Sequence, residues 1–109
     1  MSGILTRLLS THRLDTQLEV SSKKRLFEEI AERIQHDYPE ITARSTFNRL
    51  LAREKLGSTG LGQGIAIPHA RLEGAPEIIG VFFTLSQGIE FDAPDDQNVD
   101  LVFALLVPE

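Results

Sequence analysis

The residues best placed to do chemistry lie in one stretch, Leu56-Gly57-Ser58-Thr59-Gly60-Leu61-Gly62-Gln63-Gly64-Ile65-Ala66-Ile67-Pro68-His69-Ala70. An imidazole is a good phosphoryl acceptor near neutral pH, because its neutral form carries a nucleophilic nitrogen. Pro68 sets the backbone just ahead of His69 and lacks an N–H. The short strand Ile65-Ala66-Ile67, anchored by buried Ile65 and Ile67, is therefore expected to stop there. His69 would then project where the sheet ends, a common place for sites in α/β proteins. Gly60, Gly62 and Gly64 let backbone N–H groups turn toward an anion, and Ser58 and Thr59 add hydroxyl donors. These five residues are the candidate phosphate cradle. On residue type alone the alternative stays open that His69 is a plain strand-end residue and the glycines are turn punctuation.

A glycine-rich loop also invites a nucleotide reading, which fails. Gly57 and Gly62 have Walker spacing, but Gln63-Gly64 follows where Lys and Ser/Thr are needed. A dinucleotide fingerprint needs a strand before it and a helix after it. Here the order is reversed.

The elements that must position this stretch follow from periodicity. Ser21 or Ser22 can cap a helix carrying Leu26, Phe27, Ile30, Ala31 and Ile34 on one stripe. Tyr38-Pro39 ends it, since the residue before proline disfavours helical geometry. A second helix follows a Thr42 cap and carries Phe47, Leu50, Leu51 and Leu56. Leu14, Leu18 and Val20 suggest a short edge strand, and Ile78 to Leu85 another strand. Phe91 to Asn98 reads as a polar turn region. Leu101 to Val107 is a continuous apolar run that suits a central strand covered on both faces. The order implies an α/β (α+β) fold, a mixed sheet flanked by helices in a three-layer sandwich. Residues 1–109 read as a single domain whose natural form is expected to continue past Glu109, because the far face of the central strand lacks its helices.

Composition narrows the partners. The 109 residues are 41% hydrophobic and 25% charged, ordinary for a soluble domain, with six Phe, one Tyr and no Trp. The net charge of −5 argues against nucleic acid, which needs a concentrated basic surface. With no cysteine, disulfides, thiol catalysis and Cys-based metal sites are excluded. Neither a signal-peptide core near Met1 nor a run long enough for membrane insertion is visible, so a cytoplasmic location is expected. His12 and His36 read as non-functional, and a three-His metal site does not fit their spacing. Asp92, Asp95, Asp96 and Asp100 lack the EF-hand pattern and read as turn-formers. Lys23, Lys24 and Arg25 read as a solvated helix face.

Arg53-Glu54-Lys55-Leu56-Gly57-Ser58-Thr59-Gly60, with Gly64-Ile65-Ala66-Ile67-Pro68-His69, closely resembles the active-site signature of mannitol/fructose-type IIA domains of the phosphotransferase system (EIIA type 2). Ser22 to Arg25, Phe91 to Ala93 and Val99 to Pro108 are most similar to its nitrogen-related regulatory branch. The resemblance covers roughly residues 20–109. It implies that His69 is the phosphorylated residue and that Arg53 steadies the phosphoryl group, its fork of donors matching phosphate oxygens. It also implies an HPr-like phosphocarrier protein as donor, regulatory targets such as potassium transport or sensor proteins, and no cofactor or metal. The family's second active-site histidine, expected later in the chain, has no counterpart up to Glu109. Two other roles remain open, a sugar-transport IIA component handing phosphate to a IIB domain and an unphosphorylated interaction module.

Overall fold

The computed structural model describes residues 9–109. The reading of residues 1–9 as lacking a signal-peptide core falls, except for Leu9, outside them. A single 3-10 turn, Thr11–Arg13, leads into β1, Leu14–Leu18. Helix α1 spans Lys23–Asp37, and the Ser22 side chain accepts from the Arg25 N–H at 3.1 Å, satisfying a donor the helix cannot. Leu26, Phe27, Ile30, Ala31 and Ile34 form its buried stripe. Helix α2 spans Ala43–Lys55, capped in the same way by Thr42 on the Ser45 N–H. Leu50 is buried and Phe47 and Leu51 half-buried, as the stripe required. Leu56 does not belong to it. That residue lies past the helix end and is 84% exposed, while Glu54 turns inward instead.

Among the described residues five strands follow the order β1-β5-β6-β3-β2, and a sixth, β4, pairs with β6 off that path. Here β2 is Gly60–Gly62, β3 Ile65–Ala66, β4 His69–Leu72, β5 Ile79–Ile89 and β6 Val99–Pro108. β5 and β6 run antiparallel at the centre, with β1 parallel to β5 at one edge. β3 and β4 lie end to end, parallel to successive halves of β6. The mixed α/β class is therefore as expected. Ile79, Val81, Phe83 and Leu85 of β5, with Val102, Ala104 and Leu106 of β6, join the helix stripes in one core. The alternate residues Phe82, Leu101, Phe103, Leu105 and Val107 are half-buried on the opposite face.

Four local expectations change. The glycine loop is a hairpin, with β2 antiparallel to β3 around Gln63 and Gly64. Both loop residues take positive φ, 57° and 82°, as tight hairpin turns with the strand twist require. Second, Pro68 does not end the pairing. It lacks an N–H, yet its carbonyl accepts from the Leu105 N–H at 2.9 Å, and His69 opens a new edge strand. Third, Ala66 is the fully buried residue of β3, while Ile65 and Ile67 are half-buried. Fourth, Phe91 and Ala93 are core residues inside the segment read as a polar turn. The Phe27 and Phe91 rings meet edge-on at 6.2 Å, a favoured aromatic geometry.

Candidate functional site

Strand alternation decides what surrounds His69. Along β4, Leu72 is buried and Ala70 half-buried, while His69 and Arg71 are exposed. Parallel pairing sets His69 opposite Leu105 and Arg71 opposite Val107 on the face away from the helices. Arg53 comes from the last turn of α2, where a cation suits the negative helix end, and its Nη1 donates to the Gly57 carbonyl at 2.9 Å. Arg53, His69, Ala70, Arg71, Leu105 and Val107 line one open pocket of about 450 Å³. Two residues singled out in the sequence, 16 positions apart, thus share a pocket with a third that was not. The lining residues of this pocket include two arginines and a histidine and no acid, in a chain of net charge −5.

The imidazole is oriented by its own backbone. His69 Nδ1 lies 2.9 Å from the carbonyl oxygen of Ile67. A carbonyl only accepts, so Nδ1 carries the proton and the neutral ring keeps its lone pair on Nε2.

The remaining candidates do not reach this pocket. Ser58 Oγ donates to the Phe91 carbonyl at 2.9 Å and accepts from the Gly60 N–H at 3.0 Å. Thr59 Oγ1 donates to Glu54 at 2.7 Å, and the Thr59 N–H donates to the same carboxylate. Gly62 and Gly64 approach carboxylates of their own chain, since a Cβ there would stand 3.2 Å from Asp95 Oδ2 and 3.0 Å from Asp100 Oδ1. A neighbouring carboxylate repels an anion. Gly60 packs against Ala93, where a Cβ would meet the Ala93 Cβ at 3.0 Å. These five residues hold the frame around the hairpin and are not among the residues lining the His69 pocket.

That frame is tied to Arg53 by its neighbour. Glu54 is 8% exposed and also accepts from Lys23 Nζ at 2.9 Å, so one carboxylate joins α1, the end of α2 and the turn into β2. Lys23 is accordingly part of the structure and not only of a solvated face. Asp95 does the same for the hairpin tip, with Oδ2 accepting from the Gln63 N–H at 2.8 Å and Oδ1 from the Gln97 N–H at 3.1 Å. The Gln63 and Gln97 amides hold the Asp95 carboxyl below the usual carboxylate value.

Comparison with known proteins gives the family. Residues 7–109 match the family described as phosphoenolpyruvate-dependent sugar phosphotransferase system, EIIA 2. The chain belongs to this family. This EIIA 2 chain is 47% identical over 105 residues to the nitrogen regulatory protein of Pseudomonas aeruginosa, covering 96% of the chain and 68% of the relative. Its fold is similar to that of the nitrogen regulatory protein IIA-Ntr from Neisseria meningitidis, with TM-score 0.90 and 44% identity over 97% of the chain and 72% of that structure. IIA mannitol from Escherichia coli, at 20% identity, shares the fold with TM-score 0.74, covering 93% and 72% of the two chains. The EIIA 2 chain spans about two thirds of the length of the relatives it matches. Among the described residues no helix is long and apolar enough to cross a membrane.

Sequence reasoning missed Arg71. The signal was present, since residues two apart on a strand share a face. It was hidden because Pro68 was taken to end strand pairing, whereas a new strand begins one residue later.

Proposed function

We propose that this EIIA 2 chain is a phosphoryl carrier that accepts a phosphoryl group on Nε2 of His69 from a phosphohistidine of an HPr-like protein. The observation that carries the reading is the Nδ1 contact to the Ile67 carbonyl, which leaves Nε2 as the nucleophile in a pocket shared with Arg53 and Arg71. Attack forms the Nε2–P bond as the donor's N–P bond breaks. If the donor ring is protonated, it leaves as neutral imidazole. His69 keeps its Nδ1 proton and becomes an imidazolium, for which the Ile67 carbonyl is a stronger acceptor than for the neutral ring. The two guanidinium groups stabilise charge on the equatorial oxygens, and little other chemistry is required of the protein.

The phosphorylated site gains about two negative charges, enough to reverse the sign of the patch that Arg53 and Arg71 create. A partner interface built around this face would switch with phosphorylation. Regulatory output toward targets such as potassium transport or sensor proteins is the role we assign, because relatives 47% and 45% identical to this chain are named nitrogen regulatory proteins.

The test is direct. The chain is incubated with phosphoenolpyruvate, the first enzyme of the system and an HPr-like carrier, and its intact mass is read. One acid-labile phosphate in the wild type and none in His69→Ala supports the carrier role. Uptake that survives in His69→Ala refutes the site.

A further inference from the structure

Far from His69, at the opposite edge of the sheet, folding brings together two histidines that the sequence leaves 24 residues apart. His12 lies in the 3-10 turn before β1, and His36 in the last turn of α1. Their rings stack with centroids 3.9 Å apart and planes tilted by 33°. Asp37 meets both rings at their nitrogens, with its Oδ1 3.3 Å from Nδ1 of His12 and 3.3 Å from Nδ1 of His36. A donor atom from each of the three lies within 4.8 Å of the other two.

Those distances are long for N–H···O hydrogen bonds, which cluster at about 2.9 Å. They match a different requirement. Zinc held tetrahedrally by nitrogen and oxygen at about 2.0–2.2 Å places its ligand atoms about 3.4 Å apart. The second oxygen of Asp37 is engaged by the Ser10 hydroxyl and the Arg13 guanidinium, an outer shell that fixes the carboxylate and leaves Oδ1 facing the rings. The two ring side chains are 54% and 60% exposed, so a metal could enter and keep a water ligand. Asp15, Glu29 and Glu32 line the adjoining pocket of about 430 Å³. Its one arginine there, Arg33, is bonded to Asp15 and Glu29. With Asp37 and Arg13 counted, four acids face two arginines, so the surroundings favour a cation.

We propose that His12, His36 and Asp37 form a binding site for a divalent transition-metal ion of the zinc class. Two imidazoles and one carboxylate suit such an ion, whereas magnesium and calcium prefer oxygen alone. Bound metal would pin the turn before β1 to the end of α1. The site is separate from the His69 pocket and does not depend on the carrier reading.

The chain, stripped with a chelator and dialysed, is titrated with Zn²⁺ by calorimetry beside His12→Ala, His36→Ala and His69→Ala. Both rings are exposed, so the first two truncations leave no core cavity and circular dichroism verifies the fold. Saturable binding of one zinc per chain, weakened about tenfold or more in both His12→Ala and His36→Ala and unchanged in His69→Ala, supports the site. No saturable binding by the wild type, or binding that persists in both of those variants, overturns it.

Discussion

His69 Nδ1 and the Ile67 carbonyl oxygen are 2.9 Å apart, so the imidazole is oriented by a residue two positions earlier in its own chain. The orienting group is backbone and no side-chain substitution removes it. What remains open to mutation is the imidazole, the two arginines beside it and the bonds that hold the frame.

Replacing the ring should separate chemistry from folding. His69 is exposed at the start of an edge strand, so His69→Ala should change unfolding free energy by no more than about 0.5 kcal/mol. Urea denaturation reads that change, and the same sample should take up no phosphate. A large loss of stability would mean that His69 is a structural residue.

Arg53 and Arg71 are expected to act on the rate. Removal of either by Ala should slow phosphoryl transfer, by up to about a hundredfold, the effect of losing one preorganised donor. Lysine should recover only part, because it keeps the charge but loses the fork geometry. Quench-flow with a radiolabelled donor checks both, and an unchanged Arg71→Ala rate would remove that residue from the site.

Glu54 is the joint between the helices and the glycine hairpin. Glu54→Ala leaves the buried Thr59 hydroxyl and N–H without their acceptor and Lys23 with only Asp92, 3.6 Å away, and stranding a buried donor costs about 1–3 kcal/mol. Chemical denaturation should show it. Transfer should also slow, since Arg53 is the adjacent residue and loses its anchored neighbour.

Asp95 gives a pH signature. Its carboxyl is depressed in the fold by the Gln63 and Gln97 amides, so the folded protein binds its proton less readily than the unfolded chain. The stability it contributes is present above the unfolded value, about 3.9, and is lost as pH falls through the lower folded one. The melting-temperature gap between wild type and Asp95→Ala should therefore hold from neutral pH down to mild acid and close below about pH 4. A gap that widens in acid would contradict the assignment.

Local chemistry made much of this readable in the sequence. Ser22 and Thr42 are caps because a hydroxyl there satisfies N–H groups that no helix can, and Tyr38-Pro39 stops α1 for the reason proline stops any helix. His69 and Arg53 were singled out through the family signature, and both line one pocket. What the sequence concealed was pairing at long range. β4 exists because β6 offers it a parallel partner, and the Pro68 carbonyl, not its missing N–H, makes the join. Arg71 went unseen with it. The hydroxyls of Ser58 and Thr59 looked available for phosphate because their acceptors, Phe91 and Glu54, meet them only in the folded chain. His12, His36 and Asp37 looked unrelated for the same reason.

The measurement closest to the central claim is the position of the phosphate itself. Phosphorylated chain with ¹⁵N-labelled histidine, examined by long-range ¹H–¹⁵N correlation, distinguishes the two ring nitrogens of each histidine. Phosphorus attached to Nε2 of His69, with Nδ1 still protonated, is the expected result. Phosphate on Nδ1 of His69, or on His12 or His36, would contradict the account.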